Sequence, residues 1–411
     1  MNTTAPVAHA ESHIARLRTL LSARRDVSHG ATAVEAVTRL STAHALPSAD
    51  DVLHDFDRAL ADLRSHADGM TSDERARTSA LGIVNHLVEH ALDKLDQAPT
   101  SITRNDFCAL EAVIRADGSR PSLLLRHGEP DVNHPCAALW QESLVAAGSR
   151  LTRIASATGR IQPVNGSSTR YFGSGFLCNG ETGVVVTNRH VAVDALKSAD
   201  IVKEKIRNSD AHVSRYAVLD GLEIEFDGEF GSEDRYVFPV RDVLIPAVGR
   251  APFSSLDIAV MRLDPLGKQE WPEDVQIDGN AEFEKASALN SICIVGFPGP
   301  PYERTGIVNG IDWQWIDQQL FGQAYGVKRV APGVIHRSPG FIADDTQVWV
   351  FGHDATTLGG NSGSGVFAWL DGGRAFGLHF SGEDLEKNCA HGFSTPSARA
   401  MLYALGLGSA A

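Results

Sequence analysis

The stretch Gly359-Gly360-Asn361-Ser362-Gly363-Ser364-Gly365-Val366-Phe367 constrains this chain more than any other. A serine set among glycines, just ahead of an apolar run, reads as an exposed hydroxyl on a tight turn that leads into a buried strand. A serine oxygen attacking a carbonyl needs two backbone N–H groups aimed at the oxyanion that develops. Glycine is used where the backbone must come close to a substrate, because a side chain would crowd the approach. The N–H groups of Gly360 and Ser362 are the candidates for that hole, and Ser362 Oγ for the attacking atom. A flexible hairpin has the same composition, so the reading requires a base and an orienting acid elsewhere in the chain.

Both are found upstream. Val184-Val185-Val186-Thr187-Asn188-Arg189-His190-Val191-Ala192 is a β-branched strand ending in a polar turn that carries a histidine. Ser255-Leu256-Asp257-Ile258-Ala259-Val260-Met261-Arg262-Leu263 sets an aspartate at the mouth of a strand. Taken alone, such a histidine is a surface residue and such an aspartate a turn cap. Together they give the order His190, Asp257, Ser362, one of the three known chain orders of a serine triad.

These segments resemble the trypsin-like (chymotrypsin-fold) serine peptidases. Thr187-Asn188-Arg189-His190-Val191 and Gly360-Asn361-Ser362-Gly363-Ser364 are similar to the bacterial branch that includes the glutamyl endopeptidases, and Gly173-Ser174-Gly175-Phe176-Leu177 fits the same pattern. The resemblance covers roughly residues 155–405 and implies a double β-barrel with the site between the barrels. His190 would take and return the proton, Asp257 would hold the imidazole, and Ser362 would attack. Gly365 departs from the pattern, which usually has proline there, and loosens that turn. A trypsin-type preference for basic residues would need an aspartate at position 356, which is Thr356; Asp354 lies nearby. The resemblance to glutamyl endopeptidases instead points to Thr357 and His379 as donors to an acidic side chain. The alternative is that His379 lines a pocket for a neutral one.

The 411 residues allow two or three domains, and a hydrophobic content of 43% is ample for packed cores. A net charge of −14 argues against a nucleic-acid partner, which would need a basic stripe. No apolar run is long enough for a membrane span, and the start, Met1 to Pro6, lacks the pattern of a secretory signal. The five cysteines, Cys108, Cys136, Cys178, Cys293 and Cys389, are an odd and scattered set. This suits a reducing, cytoplasmic compartment, with Cys178 as a small buried hydrophobe.

The fold class expected is multidomain, α and β. Residues 1–116 read as a helical bundle with an adaptor or regulatory role. Leu53, Phe56, Leu60 and Leu63 share one helical face, as do Val84, Val88, Ala91 and Leu95. Ser48 and Thr71 have capping positions. His86-Leu87-Val88-Glu89-His90 spells a metal-binding motif, but a third ligand is missing from the sequence around it. No metal or other cofactor is expected. Residues 117–154 read as a linker, rich in glycine and proline over 117–134, followed by a connecting helix. From about residue 155 short strands alternate with turns, as in an all-β domain. Leu222 to Phe226 alternates with period two, Tyr236–Val240 and Asp242–Ile245 read as two strands, and Ser291–Gly296 opens a second barrel.

The expected function is a serine endopeptidase acting on a protein substrate. Residues 1–116 would bind an adaptor, an activator or the substrate itself. A helical module fused to such a peptidase is similar in arrangement to bacterial anti-phage systems, in which a recruited protease cuts a partner such as a gasdermin. The alternative is a peptidase fold that binds without cutting, which would keep its function without the Ser362 hydroxyl.

Overall fold

The computed structural model describes residues 120–204, 213–246, 256–265, 270–279 and 290–300, and most of 307–381 and 388–407. The helices read in residues 1–116, and the His86–His90 motif, lie outside the described residues. The chain divides into two compact units, one holding 1–119, 133–143 and 302–320, the other holding the rest.

The larger unit opens on a hairpin, β1 (Leu123–Arg126) and β2 (Glu129–Pro130). Helix α1 (Gln141–Ala147), whose first three residues are counted with the smaller unit, and α2 (Ser149–Ala157) follow. The first barrel is then built from β3 (Thr158–Pro163), β4 (Gly173–Asn179), β5 (Val184–Thr187), helix α3 (Arg189–Leu196), β6 (Asp200–Glu204), β7 (Val213–Asp220), β8 (Leu222–Glu225), β9 (Val237–Pro246) and β10 (Ala259–Leu263). The strand order is β10-β5-β4-β3-β8-β9, and β9 pairs back to β10, so six strands close. Strands β7 and β6 extend the sheet beyond β9. Strand β11 (Ser291–Gly296) begins the second barrel.

The smaller unit contributes the two-stranded pair β12 (Ile307–Val308) and β13 (Ile311–Asp312). It also contains a 3-10 turn, Pro135–Trp140, capped by His134 Nδ1, which accepts from Cys136 N at 3.1 Å. The second barrel continues with β14 (Arg329–Arg337), β15 (Val350–His353), β16 (Gly365–Phe367), β17 (Ala375–Ser381) and β18 (Asn388–Gly392), and the helix α4 (Pro396–Ala404) follows. Its order is β11-β16-β17-β18-β15-β14, with β14 pairing back to β11. Two closed six-stranded barrels are the architecture of a chymotrypsin-like double barrel.

Each barrel buries its own apolar interior. Phe176, Val186, Ile224, Phe238 and Val260 are inaccessible in the first, and Ile292, Ile294, Phe351 and Val366 in the second. Burial of each such side chain contributes about 1.5–3 kcal/mol. Phe176 meets Phe367 edge-on across the junction, with ring centroids 5.7 Å apart. Polar links cross it as well. Lys328 Nζ, fully buried, donates to the carbonyls of Ala155 and Phe226, and burial pushes its ammonium down to about 8. Arg160 Nη1 donates to Gly326 O at 2.5 Å.

The alternation in β8 holds, but both its faces are dry: Glu223 and Glu225 are buried, and Arg235 and Gln162 bind their carboxylates. Two local readings change. The segments Tyr236–Val240 and Asp242–Ile245 are one strand, β9. The stretch read as a linker at 117–134 contains β1, whose Leu123 and Leu125 are fully buried and which pairs with β14 through Leu123↔Val330. Its glycine and proline residues flank an apolar triplet, Leu123-Leu124-Leu125, and that triplet supplies the burial.

Candidate active site

His190 is the second residue of α3. The β-branched strand β5 ends at Thr187, Asn188 takes an extended conformation, and the chain turns into the helix. The polar turn expected at His190 is therefore a helix start. Asp257 lies just ahead of β10, which pairs with β5 through Ala259↔Thr187. That register brings the two residues together: His190 Nδ1 is 2.5 Å from Asp257 Oδ2, and the His190 backbone N–H donates to Asp257 Oδ1 at 3.0 Å. Asn188 Nδ2 donates to the Asp257 carbonyl at 2.8 Å. Burial pushes the Asp257 carboxyl up, but the hydrogen bonds and charge of His190 outweigh it and hold the group below its ordinary value.

Ser362 sits on the turn before β16, half-buried. The turn is closed by Asn361 N donating to Leu358 O, Ser364 N to Asn361 O and Gly363 N to His379 O. The N–H groups of Gly360 and Ser362 donate to no acceptor among the described residues. Gly360 has φ +94°, and a Cβ there would come within 2.5 Å of Phe297 O, so both conformation and space require glycine.

Strand β4 joins the two halves. Ser174 N donates to Ser362 O at 2.9 Å, and Ser174 Oγ donates to Gly360 O at 2.7 Å. A Cβ on Gly173 would lie 2.9 Å from both Ser362 O and Val191 Cγ2. The serine turn and the His190 helix thus converge on Gly173, where no side chain fits. His190 and Asp257 are hydrogen-bonded; the Ser362 hydroxyl makes no hydrogen bond among the described residues.

The candidate specificity residues are buried. His379 is 3% exposed, and its Nδ1 lies 3.1 Å from His353 Nε2. Burial, with the neighbouring His353 and His190, holds its imidazole well below the ordinary value, so the ring is neutral. Thr357 Oγ1 donates to Asn388 Oδ1 at 2.8 Å. Thr356 Oγ1 donates to Arg120 O at 2.6 Å. Asp354 is not available to a basic substrate side chain: it forms a buried ion pair with Arg120 at 2.9 Å and accepts from Val334 N.

Cys136, Cys178, Cys293 and Cys389 are free thiols. Cys178 Sγ donates to Val184 O at 3.3 Å, and burial pushes its thiol up to about 12, so it is inert. Among the described residues no cluster of His, Cys, Asp or Glu is arranged to hold a metal ion, and no helix is long and apolar enough to cross a membrane.

Sequence reasoning missed three contributors. Ser174 and Asn188 stand inside segments that carried the resemblance, next to the residues that drew attention. Arg120 had no signal, because its partner is 234 positions away.

The model of the trypsin-like peptidase domain matches residues 173–378, from the start of β4 into β17. A probable serine protease of Lysobacter enzymogenes is 37% identical over 314 residues, which cover 75% of this chain and 79% of that protein. With barrels, serine turn and family match in agreement, this chain belongs to the trypsin-like peptidases and is a serine endopeptidase.

Proposed function

We propose that Ser362, His190 and Asp257 form the catalytic triad, with the N–H groups of Gly360 and Ser362 as the oxyanion hole. The observation that carries this reading is the 2.5 Å contact between His190 Nδ1 and Asp257 Oδ2. With Nδ1–H bound to the carboxylate, Nε2 is the free acceptor, able to take the Ser362 proton and return it to the leaving amine. Catalytic hydrogen bonds to a serine often tighten only when substrate binds, which accounts for the unpaired Ser362 hydroxyl. The two uncommitted N–H groups of the turn support their reading as donors to the tetrahedral oxyanion. Ser362→Ala should lower peptide hydrolysis by several orders of magnitude with the fold intact. Turnover equal to the wild type would remove Ser362 from the mechanism.

The pocket supports a preference for an acidic side chain before the scissile bond. His379 is a neutral donor, and Asp354 is neutralised by Arg120. Thr357 would exchange its bond to Asn388 for one to the substrate carboxylate. A peptide-library profile dominated by basic residues would contradict this.

Residues 1–116 act in recruitment, docking a partner or substrate so that weak intrinsic cleavage becomes effective at high local concentration. Free thiols support a cytoplasmic setting, and the arrangement supports a role in bacterial anti-phage defence. The test compares the full chain with one lacking 1–119, on a short peptide and on an intact partner. That boundary retains Arg120 and β1. Loss of short-peptide cleavage, with the barrels still folded, would contradict recruitment.

A further inference from the structure

His391, on β18 of the second barrel, is 2% exposed, and its Nε2 lies 3.1 Å from the backbone N of Asp257 in the first barrel. A backbone N–H can only donate, so Nε2 accepts and the ring proton resides on Nδ1. That Nδ1 is buried and has no hydrogen-bond partner among the described residues. An unpartnered buried donor is unfavourable, and an apolar residue would fill the space without that penalty. The ring is held from two sides: Phe380 stacks on it with centroids 4.0 Å apart and planes at 14°, and Trp349 meets it edge-on.

Phe380 directly follows His379. The His379 backbone brackets the serine turn, with its N donating to Ser364 O at 2.9 Å and its O accepting from Gly363 N at 3.0 Å. A continuous path therefore runs from Asp257 N–H through the His391 ring and the Phe380 stack to the turn that carries Ser362. Asp257 is thus fixed at four points: its carbonyl by Asn188, its two carboxylate oxygens by His190, and its N–H by His391.

We infer that His391 is a positioning residue: it tethers the acid of the first barrel to the second barrel and so sets the His190 ring relative to Ser362. This rests on the reading of Asp257 as the triad acid. A leucine at 391 packs but cannot accept the Asp257 N–H, whereas a glutamine can.

The experiment measures kcat and KM for wild type, His391→Leu, His391→Gln and Ser362→Ala on one peptide substrate. His391→Leu should lower kcat roughly 10- to 100-fold, the range for partners that orient a functional side chain, with KM little changed. His391→Gln should recover most of the rate. Unchanged kcat in His391→Leu, or equal losses in both variants while Ser362 remains essential, would overturn the role of His391 alone. Turnover surviving in Ser362→Ala would overturn the triad reading itself. Nitrogen NMR of the His391 ring in the full wild-type chain, assigned by its loss in His391→Gln, gives a test independent of how the leucine variant folds. The proposal requires the Nδ1–H tautomer, and an Nε2–H ring would refute it.

Discussion

The candidate catalytic pair of the first barrel and the candidate specificity residues of the second stand at the junction in different states. In the first, the His190 and Asp257 side chains are 45% and 24% exposed. In the second, His353, His379, Thr357 and Asn388 are all 5% exposed or less and bond mainly to one another. On the proposed function, the difference separates two tasks. A base that takes a proton and passes it to a leaving group must be reached by both. Groups that line a pocket instead gain from being dry and fixed in one protonation state, because their hydrogen bonds are then stronger and better aimed.

Substitutions can break this division. The largest effect is expected on the exposed side. Asp257→Asn, which favours the wrong imidazole tautomer, should lower kcat about 10⁴-fold while leaving thermal stability nearly unchanged. Steady-state kinetics with a melting curve checks both. A parallel loss of stability would mean that Asp257 acts as a structural cap.

On the buried side the expected effect is on stability. Arg120→Ala removes the buried cation that faces the Asp354 carboxylate, and breaking such a pair typically costs about 3–5 kcal/mol. Denaturant unfolding of the full chain reads this directly. A change below about 1 kcal/mol, the range of surface pairs, would show that water reaches Asp354.

The third prediction concerns pH. Burial pushes the His391 imidazole from the ordinary 6.5 down to about 4. Above 6.5 neither the folded nor the unfolded chain protonates it. As pH falls from 6.5 towards 4, the unfolded chain binds a proton that the native chain refuses. Stability therefore drops, by on the order of 3 kcal/mol, and the loss levels off below about 4. His379, buried beside His353, shifts in the same direction and also lowers stability as pH falls below 6.5. The depressed Asp257 carboxyl contributes only below its ordinary 3.8. His391→Gln should lose correspondingly less stability between pH 6.5 and 4; an unchanged slope would mean that His391 is solvated.

The smallest effect tests the junction itself. Gly173→Ala puts a methyl 2.9 Å from both Ser362 O and Val191 Cγ2. The serine turn or the His190 helix must shift; a misplacement of roughly 1 Å costs about 10²-fold in kcat, so a loss up to that size is expected. Wild-type kinetics in this variant would show that the barrels adjust freely.

The first barrel was largely legible in the sequence, because its signals are local. The run Val184-Val185-Val186-Thr187 forms β5 on its own preference, and the histidine and aspartate lie within two or three residues of paired strands. The second barrel was harder to read. Strand β14 contains Pro332-Gly333, which reads as a break, yet Pro332 stands opposite Cys293 and Gly333 opposite Ile292 within the ladder. Thr356 already spoke against a preference for basic residues, but the pairing of the nearby Asp354 with Arg120, 234 positions away, left no local trace. His391 has no flanking pattern; its role depends on a contact across 134 positions. Local chemistry was readable, whereas long-range pairing of buried polar groups was not.

The central claim is that the junction makes Ser362 a nucleophile through His190. Treating the active enzyme with a fluorophosphonate and locating the adduct by mass spectrometry tests this most directly. The account predicts one adduct, on Ser362, formed in the wild type and lost in His190→Ala. Peptide hydrolysis by a wild-type enzyme whose Ser362 stays unlabelled, or labelling equally fast without His190, would contradict it.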